Sequence, residues 1–110
     1  MKATSIESIV NNFSEVTSID DRVILAELFN LYFITLLDDY SKLTNALNDD
    51  DINSISAVKH KMIGATNTIG IEPILIFLSH DNEYLQANIV HLECLIDQYT
   101  TLFKLHLENV

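Results

Sequence analysis

Glycine, proline and cysteine are almost missing from these 110 residues, which hold two glycines, one proline and one cysteine. A sandwich or barrel with many tight turns needs more turn residues than that, and no alternating apolar run is bounded by turn signals. One thiol, Cys94, cannot form an internal disulfide and fits a reducing compartment. Its apolar-periodic surroundings make it read as a small buried hydrophobe. Basic residues are also few, six Lys and Arg against sixteen Asp and Glu, for a formal charge of −10. That balance argues against general binding to nucleic acid or anionic membrane, which needs clustered cations. The N-terminus has polar residues where a secretory signal carries an apolar region, and the longest apolar stretch, 23–37, is broken by Glu27 and Asn30 and falls short of the roughly 20 residues that span a bilayer. The reading is a cytoplasmic protein, with 23–37 as a buried helix.

What the chain does have is helical periodicity. Hydrophobic residues make up 48% of it, enough at this length for one compact core, so 1–110 is expected to be a single domain. Thr4 with Glu7 three residues later forms a capping-box pattern before Ile6, Ile9, Val10 and Phe13, a short first helix that ends after Asn12. Ser18 with Asp21 marks a second, long helix whose stripe is Phe29, Phe33, Leu36, Tyr40, Leu43 and Leu47. Leu25, Leu28, Leu31 and Tyr32 lie off that stripe and imply burial on a second side, partly beneath the first helix. Asn48, Asp49, Asp50 and Asp51 end that helix and cap the next, where carboxylates are favourable. A third helix from Ile52 sets Ile55, Val58, Met62, Ala65 and Ile69 on one face, with Gly70 as C-cap and Pro73 in the first turn of a fourth. The fourth is short, 72–79, and the fifth carries Ile89, Leu92, Ile96, Tyr99 and Phe103. Short connections between such stripes give an all-α expectation: an antiparallel four-helix bundle with a short additional N-terminal helix.

The chemistry concentrates at His60. At about 100° per residue it lies roughly 160° from Met62, so its ring is expected to face water. Gly64, one turn on, shares that exposed face. A glycine inside a helix costs about 1 kcal/mol relative to alanine; here it leaves room for a partner's backbone or catalytic loop beside the imidazole. A solvent-facing imidazole offers a ring nitrogen as nucleophile. Phosphoryl transfer asks for in-line placement and charge neutralisation more than for covalent machinery in the acceptor. Lys59 and Lys61 lie about 100° to either side of His60, on long flexible stems.

The segment 57–74, AVKHKMIGATNTIGIEPI, resembles the signature of histidine phosphotransfer (HPt) domains, in which a histidine is followed by a small-residue turn and two spaced glycines, as at His60, Gly64 and Gly70. The preceding LTNALNDDDINSISAVKH is similar to the family's second helix, polar turn and start of the histidine helix, and the likeness runs from about Asp20 to the C-terminus. The family usually has a lysine three residues after the histidine, where this chain has Ile63; the resemblance then leaves Lys59 or Lys61 to bring an ammonium toward the phosphate. An exposed Ile63 forms part of an apolar docking patch; a half-buried one widens the core stripe.

The resemblance implies a phosphorelay intermediate that takes phosphate on His60 from a receiver-domain aspartate, as of a hybrid sensor histidine kinase, and passes it to a response regulator. It is a phosphoryl carrier rather than an enzyme with its own active site: it binds no cofactor, and Mg2+ is expected on the partner receiver. Docking is expected around His60, with Ile63 and Gly64 central and Ser56, Asn67, Lys59 and Lys61 at the rim. A monomer is expected, binding neither nucleic acid nor membrane. The alternative is an HPt-like docking module that is never phosphorylated, which the absent lysine at position 63 favours and the pairing of His60 with Gly64 does not. His91 and Cys94 have H-x-x-C spacing but lack a second ligand pair, so no metal site is expected. His80 reads as a loop residue and His106 as a helix-end residue.

Overall fold

A computed structural model describes residues 6–108. Among the described residues there are six helices and no strand: α1 (Ile6–Thr17), α2 (Arg22–Asn48), α3 (Ile52–Ile69), α4 (Glu72–Leu78), α5 (Asn82–Ala87) and α6 (Ile89–Glu108). No described helix is long and apolar enough to cross a membrane.

The helix ends follow the capping chemistry with two corrections. The first helix runs past Asn12 to Thr17, whose hydroxyl donates back to the carbonyl of Phe13. Thr4, its expected cap, lies outside the described residues. Ser18 does not cap α2: it sits in the left-handed region with φ 61°. Asp21 is the cap, accepting from the backbone N–H of Val23 at 2.9 Å and of Ile24 at 3.2 Å, a role in which a short carboxylate satisfies two donors that have no partner within the helix. At α3 Asp51 does the same for Ser54, bonding both its N–H (3.2 Å) and its hydroxyl (2.8 Å). Gly70 ends α3 at φ 93°, its N–H bonded to the carbonyl of Thr66 at 2.7 Å, a conformation that costs a residue with a Cβ. Pro73 stands in the first turn of α4, as expected.

The long helix α2 packs along α6 on one side and α3 on the other. Arg22 bonds the carbonyl of His106, and the rings of Phe29 and Phe33 lie 4.6 and 5.4 Å from that of Phe103. Towards α3, Tyr32 meets Thr66 and Asp39 meets Lys61. In both sets the numbers rise on α2 as they fall on the neighbour, so α2 is antiparallel to each. Helix α4 closes the other side between α3 and α6, and α1 crosses α6 and α3 with Phe13 set 5.0 Å from Phe29. Ile55, Met62, Ile74, Leu78, Leu85, Leu92 and Ile96 are fully buried between these helices, each such side chain contributing about 1.5–3 kcal/mol of burial.

Three further expectations are corrected. Helix α5 stands where a loop and a direct restart at Ile89 were expected; its cap is Asp81, which accepts from the N–H of Tyr84 at 2.9 Å. Six residues with one buried side chain, Leu85, produce no readable stripe. The stretch 23–37 is buried on one side only, since Val23, Ile24, Leu31, Ile34 and Leu37 face water; no described helix covers them. Cys94 is exposed rather than buried, because the apolar stripe of α6 runs through Leu92, Ile96, Tyr99 and Phe103 and passes it by.

Candidate functional site

Helix α3 is an 18-residue rod whose inner face is Ile55, Met62, Thr66 and Ile69. That periodicity turns position 60 to the outside, and His60 is exposed midway along the rod. Its ring makes no hydrogen bond or ion pair with the described residues. Ser56, Gly64 and Asn67 are exposed as well, and at 3.6 residues per turn all three fall within about 40° of His60. They form one water-facing strip. At Gly64 a Cβ would meet nothing within 4 Å, so the space beside the imidazole is open and the glycine is not there to admit a packed neighbour.

On one flank the strip drops into an open concavity of about 420 Å³, lined by Ile52, Ile55, Ser56, Lys59, His60, Ile63 and Asn82. Ile63 is half-buried and packed against the core, with one side left to line this hollow. It is thus partly in the core stripe and partly at the surface. Ile52 is 58% exposed, so the hollow has an apolar rim near the start of α3.

Both lysines flanking the imidazole bond to other elements. Lys59 Nζ donates to the carbonyl of His80 at 3.0 Å, tying α3 to the turn between α4 and α5. Lys61 Nζ lies 3.0 Å from Asp39 Oδ1 on α2. Asp39 is 2% exposed, and a buried carboxylate holds its counter-ion because an unpaired charge there is costly. Each ammonium thus has an acceptor on another element. Five participants were not among the expected site residues, and two of them, Ile52 and Ile55, belong to the start of α3 itself. Asp39 was readable, since it falls at a core position of α2 between Tyr32, Leu36 and Leu43. The carbonyl of His80 and the side chain of Asn82 come in with α5, for which the sequence has no periodic signal.

The remaining candidates are scattered. His80 stacks on Tyr84 with ring centroids 3.9 Å apart, in the α4–α5 turn. His91 is exposed on α6, its ring 5.9 Å from that of Phe77. His106 is in the last turn of α6. Among the described residues no three or more His, Cys, Asp or Glu side chains are grouped so as to hold a metal ion. A larger groove of about 610 Å³ runs between α2 and α6, floored by Phe29, Phe33 and Phe103 with Arg22 and Lys104 at its lips. It lies on the side of α2 away from α3 and includes none of the site residues.

No family model matches the chain, and no curated protein or solved structure matches it.

Proposed function

We propose that this chain is a phosphorelay intermediate that accepts a phosphoryl group on His60 from a receiver-domain aspartate and passes it to a response regulator. The observation that carries the reading is the exposed, unpartnered imidazole of His60 on a rigid helix, with open space at Gly64 one turn away. A neutral ring nitrogen attacks phosphorus while the bond to the donor's carboxylate oxygen breaks, and the same exchange run onto a second aspartate empties the site. The carrier has to present, orient and leave room; Mg2+ and the acidic pocket belong to the receiver. In this reading α2, α3, the broken α4–α5 arm and α6 are the four members of an antiparallel bundle and α1 is the additional N-terminal helix. The protein acts as a cytoplasmic monomer, and the docking face is the strip of Ser56, His60, Gly64 and Asn67 with the hollow beside Ile63.

Incubation with a panel of phosphorylated receiver domains tests this. Acid-labile, alkali-stable phosphate on the native protein and none on His60→Gln is the expected result. A His60→Gln protein that still takes label removes the site assignment, and a native protein left unlabelled by every donor removes the function. The second reading, a docking module that is not phosphorylated, draws on Ile63 standing half-buried three residues after His60 and on the bonds that both lysines make to other elements. It requires receiver binding without label.

A further inference from the structure

Lys61 and Gly64 lie on the same side of His60, Gly64 at about 40° and Lys61 at about 100° around the helix. The open notch at Gly64 is therefore between the imidazole and the root of the Lys61 side chain, and an extended lysine stem reaches across such a gap. In the structure the stem runs the other way, to Asp39 at 3.0 Å. Lys61 is 57% exposed at its side chain and Asp39 only 3%. The mobile partner is thus the lysine, and the fixed one is a carboxylate that would be stranded among core side chains if the lysine left. Lys42, the other cation near Asp39, is bound 3.1 Å from Asp38 and is no ready substitute.

We propose that Asp39 is a positioning residue that withholds Lys61 from His60, so that a phosphoryl group on the imidazole is left without this cation and is readily given up. The inference rests on the reading of His60 as phosphoacceptor. A phosphoryl group bonded to nitrogen carries its charge on three oxygens, and in a loose transition state the P–N bonding pair withdraws onto the leaving ring nitrogen, so the charge on those oxygens falls. A lysine held against those oxygens stabilises the loaded state more than the transition state and slows loss of the group. Asp39 keeps that brake off.

Phosphoramidate provides the test without any protein partner: its nitrogen leaves as ammonia while the ring nitrogen bonds to phosphorus. The half-life of the His60 label is then followed at neutral pH in the native protein and in Asp39→Asn, Asp39→Leu, Lys61→Gln and the Asp39→Asn/Lys61→Gln pair, each first checked for helical content. Expected are a several-fold longer half-life in either Asp39 variant, its return to the native value in the double variant, and an unchanged half-life in Lys61→Gln alone. A merely structural defect at Asp39 does not lengthen a half-life and is not reversed by removing Lys61. If the Asp39 variants do not fold, Lys61→Gln decides: a shortened half-life means that Lys61 already serves the phosphoryl group, which overturns the proposal, as does an unchanged half-life in folded Asp39 variants. Failure of the native protein to label on His60 is a different result and removes the phosphoacceptor reading itself.

Discussion

The hydroxyl of Tyr32 on α2 and that of Thr66 on α3 are 2.8 Å apart in the core, where both residues are buried, and they make the only side-chain hydrogen bond between two buried residues among the described ones. The bond fixes the rotation of α3 about its own axis, and so the direction in which His60 points. Tyr32→Phe leaves the Thr66 hydroxyl with one polar partner fewer, and a cost of about 1–3 kcal/mol is expected. Tyr32→Phe with Thr66→Val removes both groups and should recover part of that loss. Urea unfolding of the two single variants and the pair measures the coupling; strict additivity would show that the bond contributes nothing.

The same tyrosine and the α3 cap each add a pH dependence to stability. Burial pushes the Tyr32 phenol above its ordinary 10.0. A phenol ionises more readily in the unfolded chain, so its contribution is complete below pH 10.0 and declines as pH rises from there through the folded value. At the acid end, bonds from the hydroxyl and N–H of Ser54 hold the Asp51 carboxyl below its ordinary 3.8. Its contribution is complete above that value and fades as pH falls through the lower, folded one. Thermal melts from acid to alkaline pH should show both limbs. Tyr32→Phe makes the alkaline limb shallower, with Tyr40, also raised by burial, left to contribute the rest, and Asp51→Ala does the same to the acid one; a limb left unchanged refutes the corresponding assignment.

Cys94 stands exposed on α6. Folded protein should therefore take one equivalent of iodoacetamide without denaturant, at a rate close to that in urea. Protection that is lost only on unfolding would put the thiol back in the core. Because the inner face of α6 is formed by Leu92, Ile96 and Tyr99, Cys94→Ser is expected to change the melting temperature little.

Long stripes were the legible part of this fold. Met62, Ile55 and Ile69 fixed the inner face of α3 from their spacing, and position 60 had to fall outside it. Gly70 was legible because φ 93° is a conformation few residues other than glycine adopt. Ser18 misled because a hydroxyl residue ahead of an apolar run carries the same signal as a cap, while Asp21, three residues later, is nearer the helix and its carboxylate wins. Cys94 and Leu31 misled in a common way: composition marks a residue as apolar, but only the phase of its own helix decides whether it turns inward. The lysines were illegible for a different reason. Sequence places Lys59 and Lys61 beside His60, but their partners are a carbonyl 21 residues away and a carboxylate 22 residues away, and contacts at such distances are set by how the helices pack.

Gly64 separates folding from transfer. It is helical, has no positive φ, and an added Cβ would meet nothing within 4 Å. The only intramolecular consequences of Gly64→Ala are then a better helix former and a less flexible unfolded chain, and the variant should be more stable than the native protein by about 0.5–1 kcal/mol. If the notch exists to seat a receiver, the same methyl stands where the partner's backbone must approach, and phosphoryl transfer from a receiver should fall by an order of magnitude or more, since small displacements of reacting groups carry penalties of that size. Labelling of His60 by phosphoramidate, a donor small enough to miss the methyl, should be unaffected. Stability that rises while receiver-dependent transfer falls and small-donor labelling holds assigns Gly64 to access. Equal rates with the receiver would mean that docking leaves this notch empty, and His60 would then have to be approached from the side of Ile52 and Ile63.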